Sequence, residues 1–560
     1  MAVAQKYTKS GMVKRVYFVV LTLGFFAISA AVPPQPANDT DILKLDQDLS
    51  SCNGFTIVET NILALQDAFN KKKLTAKQLT ECYIKRIQAI DPYLHSVIEV
   101  NADAMAIAEQ LDEERTQKGP RGPLHGIPIL VKDNIATKDS MNTTAGSLAL
   151  LHSKVPRDAF IIKKLREAGA IILGKANLAE WSGFRSPNSK EGWSARGGQC
   201  VSPYVLSASP SASSSGSGTS VAANLAAASI GTETHSSITG PASRGFIVGI
   251  KPTVGLTSRD GIIPVSHSQD SVGPMTRTVE DAALILSVIS GADVRDAATE
   301  VVKGKQLLNY TEYLKKDLQG IRLGVPRNLF WDKNDLGDDL ATFEQALAKL
   351  KELGGTVLDP VNLVSDAEMA DLAANKPTFW NSPNNSEVIV LTTEFKHDLN
   401  KYLTDLEQTP IRTLADAITF NNAHKAEEMS LFGQEVFIVS QNTTGIEDPV
   451  YKAALASGHK KFRDGETGID TLMTKHGVDV LVLPAYGKVP FATSTAVAGY
   501  PIISVPIALD KDGLPYGLVF ISGSLREDVL FRVAYAFEQA TKARVAPTYK
   551  KCCTRFDLYP

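Results

Sequence analysis

The sequence predicts an α/β fold: one domain built on a central mixed β-sheet, with helices covering both faces. Three observations lead there. Short apolar runs at Ile127–Val131, Ala170–Leu173, Phe246–Ile250 and Val478–Leu483 read as buried strands. They alternate with helical stretches at Ala159–Ala168, Gly218–Ser229 and Val279–Ile289, the pattern of layered α/β architecture. The 560 residues are 44% hydrophobic, enough to bury a large core, and no linker splits the chain after residue 55. A formal net charge of −3 offers no basic footprint, which excludes a nucleic-acid partner.

At the N-terminus, Lys6, Lys9, Lys14 and Arg15 precede an uncharged apolar run from Val16 to Val32. Small residues Ser29, Ala30 and Ala31 lie just before Pro33 and Pro34. Residues 1–31 therefore read as a cleaved signal peptide or, in the alternative, an uncleaved signal anchor. This places the protein outside the cell, or on a membrane and facing the lumen or exterior. Five N-x-[ST] triplets, at Asn38, Asn142, Asn309, Asn384 and Asn442, fit that route as glycosylation acceptors. The cysteines Cys52, Cys82, Cys200, Cys552 and Cys553 are too few to build the fold. A bridge from Cys52 to Cys552 or Cys553 would tie the ends together.

Residues 32–54 read as a polar linker, 55–545 as the domain and 546–560 as a C-terminal tail. Thr75 and Gln78 form a capping box, each side chain meeting a free donor at a helix start. Leu79, Tyr83, Ile87 and Ile90 then recur at helical spacing until Asp91-Pro92 ends the helix. A second helix covers Ala102–Thr116. The stretch 301–470 is more charged and helix-rich, an elaboration placed to line an entrance.

Chemistry concentrates in three places. The run from Ser207 to Ser220 is dominated by serine and glycine. Such a run alone reads as a flexible linker, but this one feeds an apolar helix that has to be buried, which puts N–H groups and hydroxyls at a helix start. A second polar cluster, Thr232 to Ser237, follows that helix. Lys132 sits in an apolar strand; beside Asp133 and Asn134 it reads by itself as a surface or ion-paired residue, whereas a buried lysine loses its proton easily.

These segments resemble the amidase signature family of serine hydrolases. The matching text is GPLHGIPILVKDN (122–134), TTAGSLAL (143–150), AGAIILGKANLAEW (168–181), SPSASSSGSG (209–218), GTETHSSI (231–238), VGIKPTVGLTSRDGIIPVSHSQDSVGPMTRTVEDAA (248–283) and AVAGYPIISVP (496–506). The peptide-amidase-like and fungal-type amidases are the nearest subgroup. The resemblance implies a Ser–cis-Ser–Lys triad, with Lys132 as base, Ser213 as the bridging serine after a cis peptide bond, and Ser237 as nucleophile. It implies an oxyanion hole from the backbone N–H groups of Thr234, His235, Ser236 and Ser237, and hydrolysis of a small-molecule or peptide amide through an acyl-serine. No cofactor and no metal are expected. The nine scattered histidines form no HExxH and the chain has no Walker A motif. In the family Asn142 falls in a buried segment, which leaves its triplet unoccupied.

The chain departs from the family pattern at two points. Ser211 and Ala212 stand where Gly or Cys-Gly precedes the serine run, and His235-Ser236 stands where a Gly-Gly or Asp-Gly pair precedes the nucleophile. The second departure keeps open an impaired homologue that binds an amide or peptide ligand. His235 itself reads as a substrate contact, a pH-sensitive gate or a plain loop residue. A Ser–His–Asp hydrolase built from Ser266, His267 and Asp270 is disfavoured, because residues so close in sequence converge poorly and no G-x-S-x-G elbow occurs. His267 reads as a structural hydrogen-bonder. A transamidating subunit acting on aminoacyl-tRNA conflicts with an export signal and balanced charge.

Overall fold

The computed structural model describes residues 39–327, 331, 336–362, 385–465, 468–485 and 491–551. The expected signal segment, Asn38, Asn384, Cys552 and Cys553 lie outside these.

An eleven-stranded mixed sheet forms the centre. In chain order its strands are β1 (Val97–Val100), β2 (Pro128–Lys132), β3 (Ile171–Ala176), β4 (Ala228–Glu233), β5 (Val248–Lys251), β6 (Ser271–Thr276), β7 (Arg322–Gly324), β8 (Thr356–Leu358), β9 (Val480–Ala485), β10 (Ile502–Leu509) and β11 (Pro515–Ile521). Across the sheet the order is β8-β7-β9-β11-β10-β5-β6-β4-β2-β3-β1. β2 runs parallel to both β3 and β4, β7 pairs in parallel with β8 and β9, and the remaining pairings are antiparallel. The central strands are buried along their whole length, which is why β2 and β3 read as apolar runs.

Helices flank the sheet. The ones needed below are α1 (Ala76–Ile90), α2 (Ala104–Lys118), α3 (Phe160–Glu167), α4 (Ser215–Ala222), α5 (Thr239–Arg244), α6 (Val279–Ile289), α7 (Ser386–Asp405) and α8 (Glu527–Thr541). α1 starts at the expected capping box, with both reciprocal hydrogen bonds formed, and α6 has the expected bounds.

Four expectations differ from the structure. The Gly218–Ser229 stretch is not one helix: α4 ends at Ala222 and the apolar run continues into strand β4. Alanine-rich, fully buried chain carries no periodicity to separate the two states, and pairing with β2 decides it. Residues expected as a linker include a helix, Asp39–Asp48, whose Ile42 is buried. The segment from 546, expected as a tail, is held to the domain as far as Lys550, where Leu206 N–H donates to the Lys550 carbonyl. Finally, Cys52 bonds to Cys82 and not to the C-terminal pair, because α1 brings the two Cα atoms to 5.9 Å. Cys200 is free and buried.

Among the described residues no helix is long and apolar enough to cross a membrane. Asn142 Oδ1 accepts the His152 N–H, and its Nδ2 lies 3.4 Å from each oxygen of the Glu99 carboxylate.

Candidate active site

Lys132 ends β2, and parallel pairing with β4 sets the carboxyl ends of the two strands side by side, where open sheets place their ligands. Its side chain is fully buried. Nζ lies 2.8 Å from Ser213 Oγ, 2.8 Å from Thr232 Oγ1 and 3.2 Å from the Thr232 carbonyl oxygen. Asn134 Nδ2 donates to the same Thr232 hydroxyl at 3.0 Å. Asp133 turns away to Arg196, so the lysine is neither surface-exposed nor paired with its neighbour. Burial pulls its pKa down from 10.5 to about 7, against the opposing charges of Asp270 and Glu233.

Ser213 stands just before α4, and the Ala212–Ser213 peptide bond is cis. The serine-rich run is packed, not a linker: Ser213, Ser214, Ser215, Ser217 and Ser220 are all buried. Gly216 is what lets α4 approach so closely. A Cβ there would come within 2.3 Å of the Ser96 carbonyl oxygen and 2.5 Å of the Asn177 nitrogen.

Ser237 lies in the loop between β4 and α5. Glu233, at the end of β4, closes this loop by accepting the N–H groups of Ile238 at 2.6 Å and Thr239 at 2.8 Å. The amide N–H groups of Thr234, His235, Ser236 and Ser237 have no acceptor among the described residues. Ser214 N–H donates to the Ser237 carbonyl at 3.0 Å, which joins the two serine-bearing segments. The Ser237 hydroxyl rests on the His235 carbonyl at 3.3 Å and makes no hydrogen bond to Ser213. Ser236 takes φ of 50°, so the backbone adopts the left-handed conformation here without a glycine.

The loop's side chains are anchored too. Thr234 Oγ1 donates to Asp270 Oδ1 at 2.5 Å. His235 Nε2 lies 2.9 Å from Gln269 Oε1 and 2.8 Å from Glu387 Oε1. The sequence assigns Glu233 no role beyond its place in the Thr232–Ser237 cluster and none to Gln269 or Glu387; Glu387 is 152 residues from His235 and no local pattern marks it. Two further lysines are buried, and nothing in the sequence singles them out. Lys175 and Lys251 are each lowered by burial to about 8, but they donate to backbone carbonyls and to Thr143, not to a serine.

The Ser266–His267–Asp270 arrangement does not assemble. His267 turns its Nδ1 to Asp398 at 2.9 Å, and Asp270 accepts from Thr234, Val265 and Ser266. His267 is thus the hydrogen-bonder expected. With His397 and Asp398 it brings three metal-ligating atoms within 4.8 Å of one another, a grouping that sequence spacing does not reveal. The same residues already hydrogen-bond among themselves. A cavity of about 710 Å³ opens beside them. It shares Arg259, Ile262 and Asp270 with a narrow chamber lined by Ser213, Thr232 and Thr234.

The family model described as Amidase matches residues 78–531, a span that holds every group above. The chain belongs to the amidase family. It is a hydrolase acting on amide C–N bonds. This amidase is 42% identical to a probable amidase of Arabidopsis thaliana over 504 residues, covering 88% of this chain and 92% of that one. It is similar to the native peptide amidase of Stenotrophomonas maltophilia, with 42% identity, a TM-score of 0.80, and 88% and 98% of the two chains covered. The likeness extends at the same identity and TM-score to the peptide amidase PAM in complex with the competitive inhibitor chymostatin, covering 88% and 99%.

Proposed function

We infer that the amidase cleaves its substrate through an acyl-Ser237 intermediate, with Lys132 as base and Ser213 as proton relay. The observation that carries this is a fully buried lysine, unpaired with its neighbouring carboxylate, whose Nζ lies 2.8 Å from a serine hydroxyl. A neutral amine has two N–H donors and one lone pair. The carbonyl and hydroxyl of Thr232 take the two donors, which leaves the lone pair for the Ser213 O–H. A turn of the Ser237 side chain from the His235 carbonyl to Ser213 Oγ completes the relay, since such contacts are often loose before substrate binds.

Ser237 Oγ attacks the amide carbon as its proton passes to Ser213, whose own proton passes to Lys132. The unpaired N–H groups from Thr234 to Ser237 receive the oxyanion. Collapse breaks the C–N bond, and the leaving amine takes a proton back from Lys132 through Ser213. Water then attacks the ester and gives one proton to Lys132 by the same route; the acyl C–O bond breaks as Ser237 Oγ takes that proton back through Ser213, which frees the acid and restores the neutral lysine.

The resemblance to peptide amidases favours a peptide or similar amide as substrate, and a cavity of about 710 Å³ is of the size that holds one. The Cys52–Cys82 disulfide supports export into an oxidising compartment.

Intact mass after exposure to a serine-directed fluorophosphonate tests the mechanism. One adduct is expected on the wild type and none on Ser237→Ala. A folded wild type without adduct overturns acyl transfer and favours an amide-binding homologue.

A further inference from the structure

The acyl-transfer steps make no use of the His235 imidazole, yet this side chain is held from two directions. Gln269 comes from the loop before β6, and Glu387 from the first turn of α7. Glu387 is itself buried, and its Oε1 also accepts from Gln269 Nε2 at 2.8 Å. Thr234 is fixed separately through Asp270. Two adjacent side chains of one loop are therefore tied to outside supports, while the four consecutive amide N–H groups from Thr234 to Ser237 have no acceptor among the described residues. Unpaired donors have no internal bond to set their direction, and small displacements cost much of their effect on an oxyanion. A glycine pair at this place has no side chain to grip. Here His235 supplies one, and Ser236 beside it keeps the left-handed backbone.

We propose that Glu387 is a positioning residue, which acts through His235 and Gln269 to hold the Thr234–Ser237 N–H groups in register with the oxyanion. The proposal rests on the acyl-transfer reading above. What His235 contributes is an Nε2–H donor. Burial opposes its protonation, the hydrogen bond and charge of Glu387 outweigh burial, and its pKa is raised. Both the imidazolium and the Nε2–H tautomer make the contact, so an amide oxygen in place of the Glu387 carboxylate preserves it.

The test is the rate of fluorophosphonate labelling at Ser237, measured across pH, for wild type, Glu387→Ala, Glu387→Gln and His235→Ala. The phosphoryl oxygen of the probe occupies the oxyanion position, so the rate reads the donors directly. Glu387→Ala and His235→Ala are expected to label about tenfold more slowly or worse, with the pH midpoint set by Lys132 unmoved. Glu387→Gln is expected to stay within about threefold of wild type. A wild-type rate in either alanine variant overturns the proposal. So does a midpoint that moves with the rate, because Glu387 would then act on the base. An unlabelled wild type overturns the acyl-transfer reading and this proposal together, whereas a labelled wild type with unaffected variants overturns the proposal alone. Melting curves accompany each variant, and if Glu387→Ala fails to fold, His235→Ala reads the same link from its other end.

Discussion

A lysine without a carboxylate in a dry site costs free energy when charged, and Lys132 is tolerated because it gives up its proton near neutrality. The sign of the pH dependence follows. Below about 7 the amine is protonated and cannot accept from Ser213. Labelling of Ser237 should therefore fall by about two orders of magnitude between pH 8 and pH 5, and a rate unchanged at pH 5 would exclude lysine as the base. Lys132→Met should abolish labelling without lowering the melting temperature, since it replaces a buried amine by an apolar chain of similar length. A large drop in melting temperature would make the residue structural. In the sequence Lys132, Ser213 and Ser237 are singled out only by the resemblance to the amidase signature family, because Ser213 stands among like residues and nothing in its composition sets it apart; the 2.8 Å contact of Lys132 Nζ with Ser213 Oγ is visible only in the structure.

Among the elements, those defined by local rules were the most legible. Thr75 and Gln78 lie three residues apart and cap the same helix turn, so the start of α1 could be read directly. β4 was hidden because Ala223–Ala228 gives the same apolar signal as the helix before it. β7 and β8 were missed because each is three residues long and exists by pairing with strands distant in sequence. The disulfide belongs to this scale as well. It joins the hairpin Ser51–Thr56 to α1 across 30 residues, a loop whose closure stabilises by about 3–4 kcal/mol in the chain-entropy account. Cys82→Ser should lower the melting temperature by a few degrees, roughly in proportion, and leave the labelling of Ser237 intact. Loss of labelling at a temperature where the variant remains folded would tie this edge of the molecule to the site.

Over the whole molecule, one sheet holds distant stretches of chain in common register, and α7 from the 301–470 elaboration reaches the Thr234–Ser237 loop through Glu387. The mixed sheet with flanking helices was legible in the alternation of apolar runs; that the elaboration adds two strands, β7 and β8, at one end of it was not. The two ends of the domain are clasped to each other. Arg544 pairs with Glu59, and the Tyr549 hydroxyl reaches Asp46 Oδ1 at 3.3 Å, where buried Arg86 also binds. The fold is thus close to a ring, and its linear order is incidental to its strand neighbours. A circular permutant, joined by a short tether across Asp46 and Tyr549 and reopened at an exposed turn such as Lys511–Gly513, should fold and label at Ser237 like the parent.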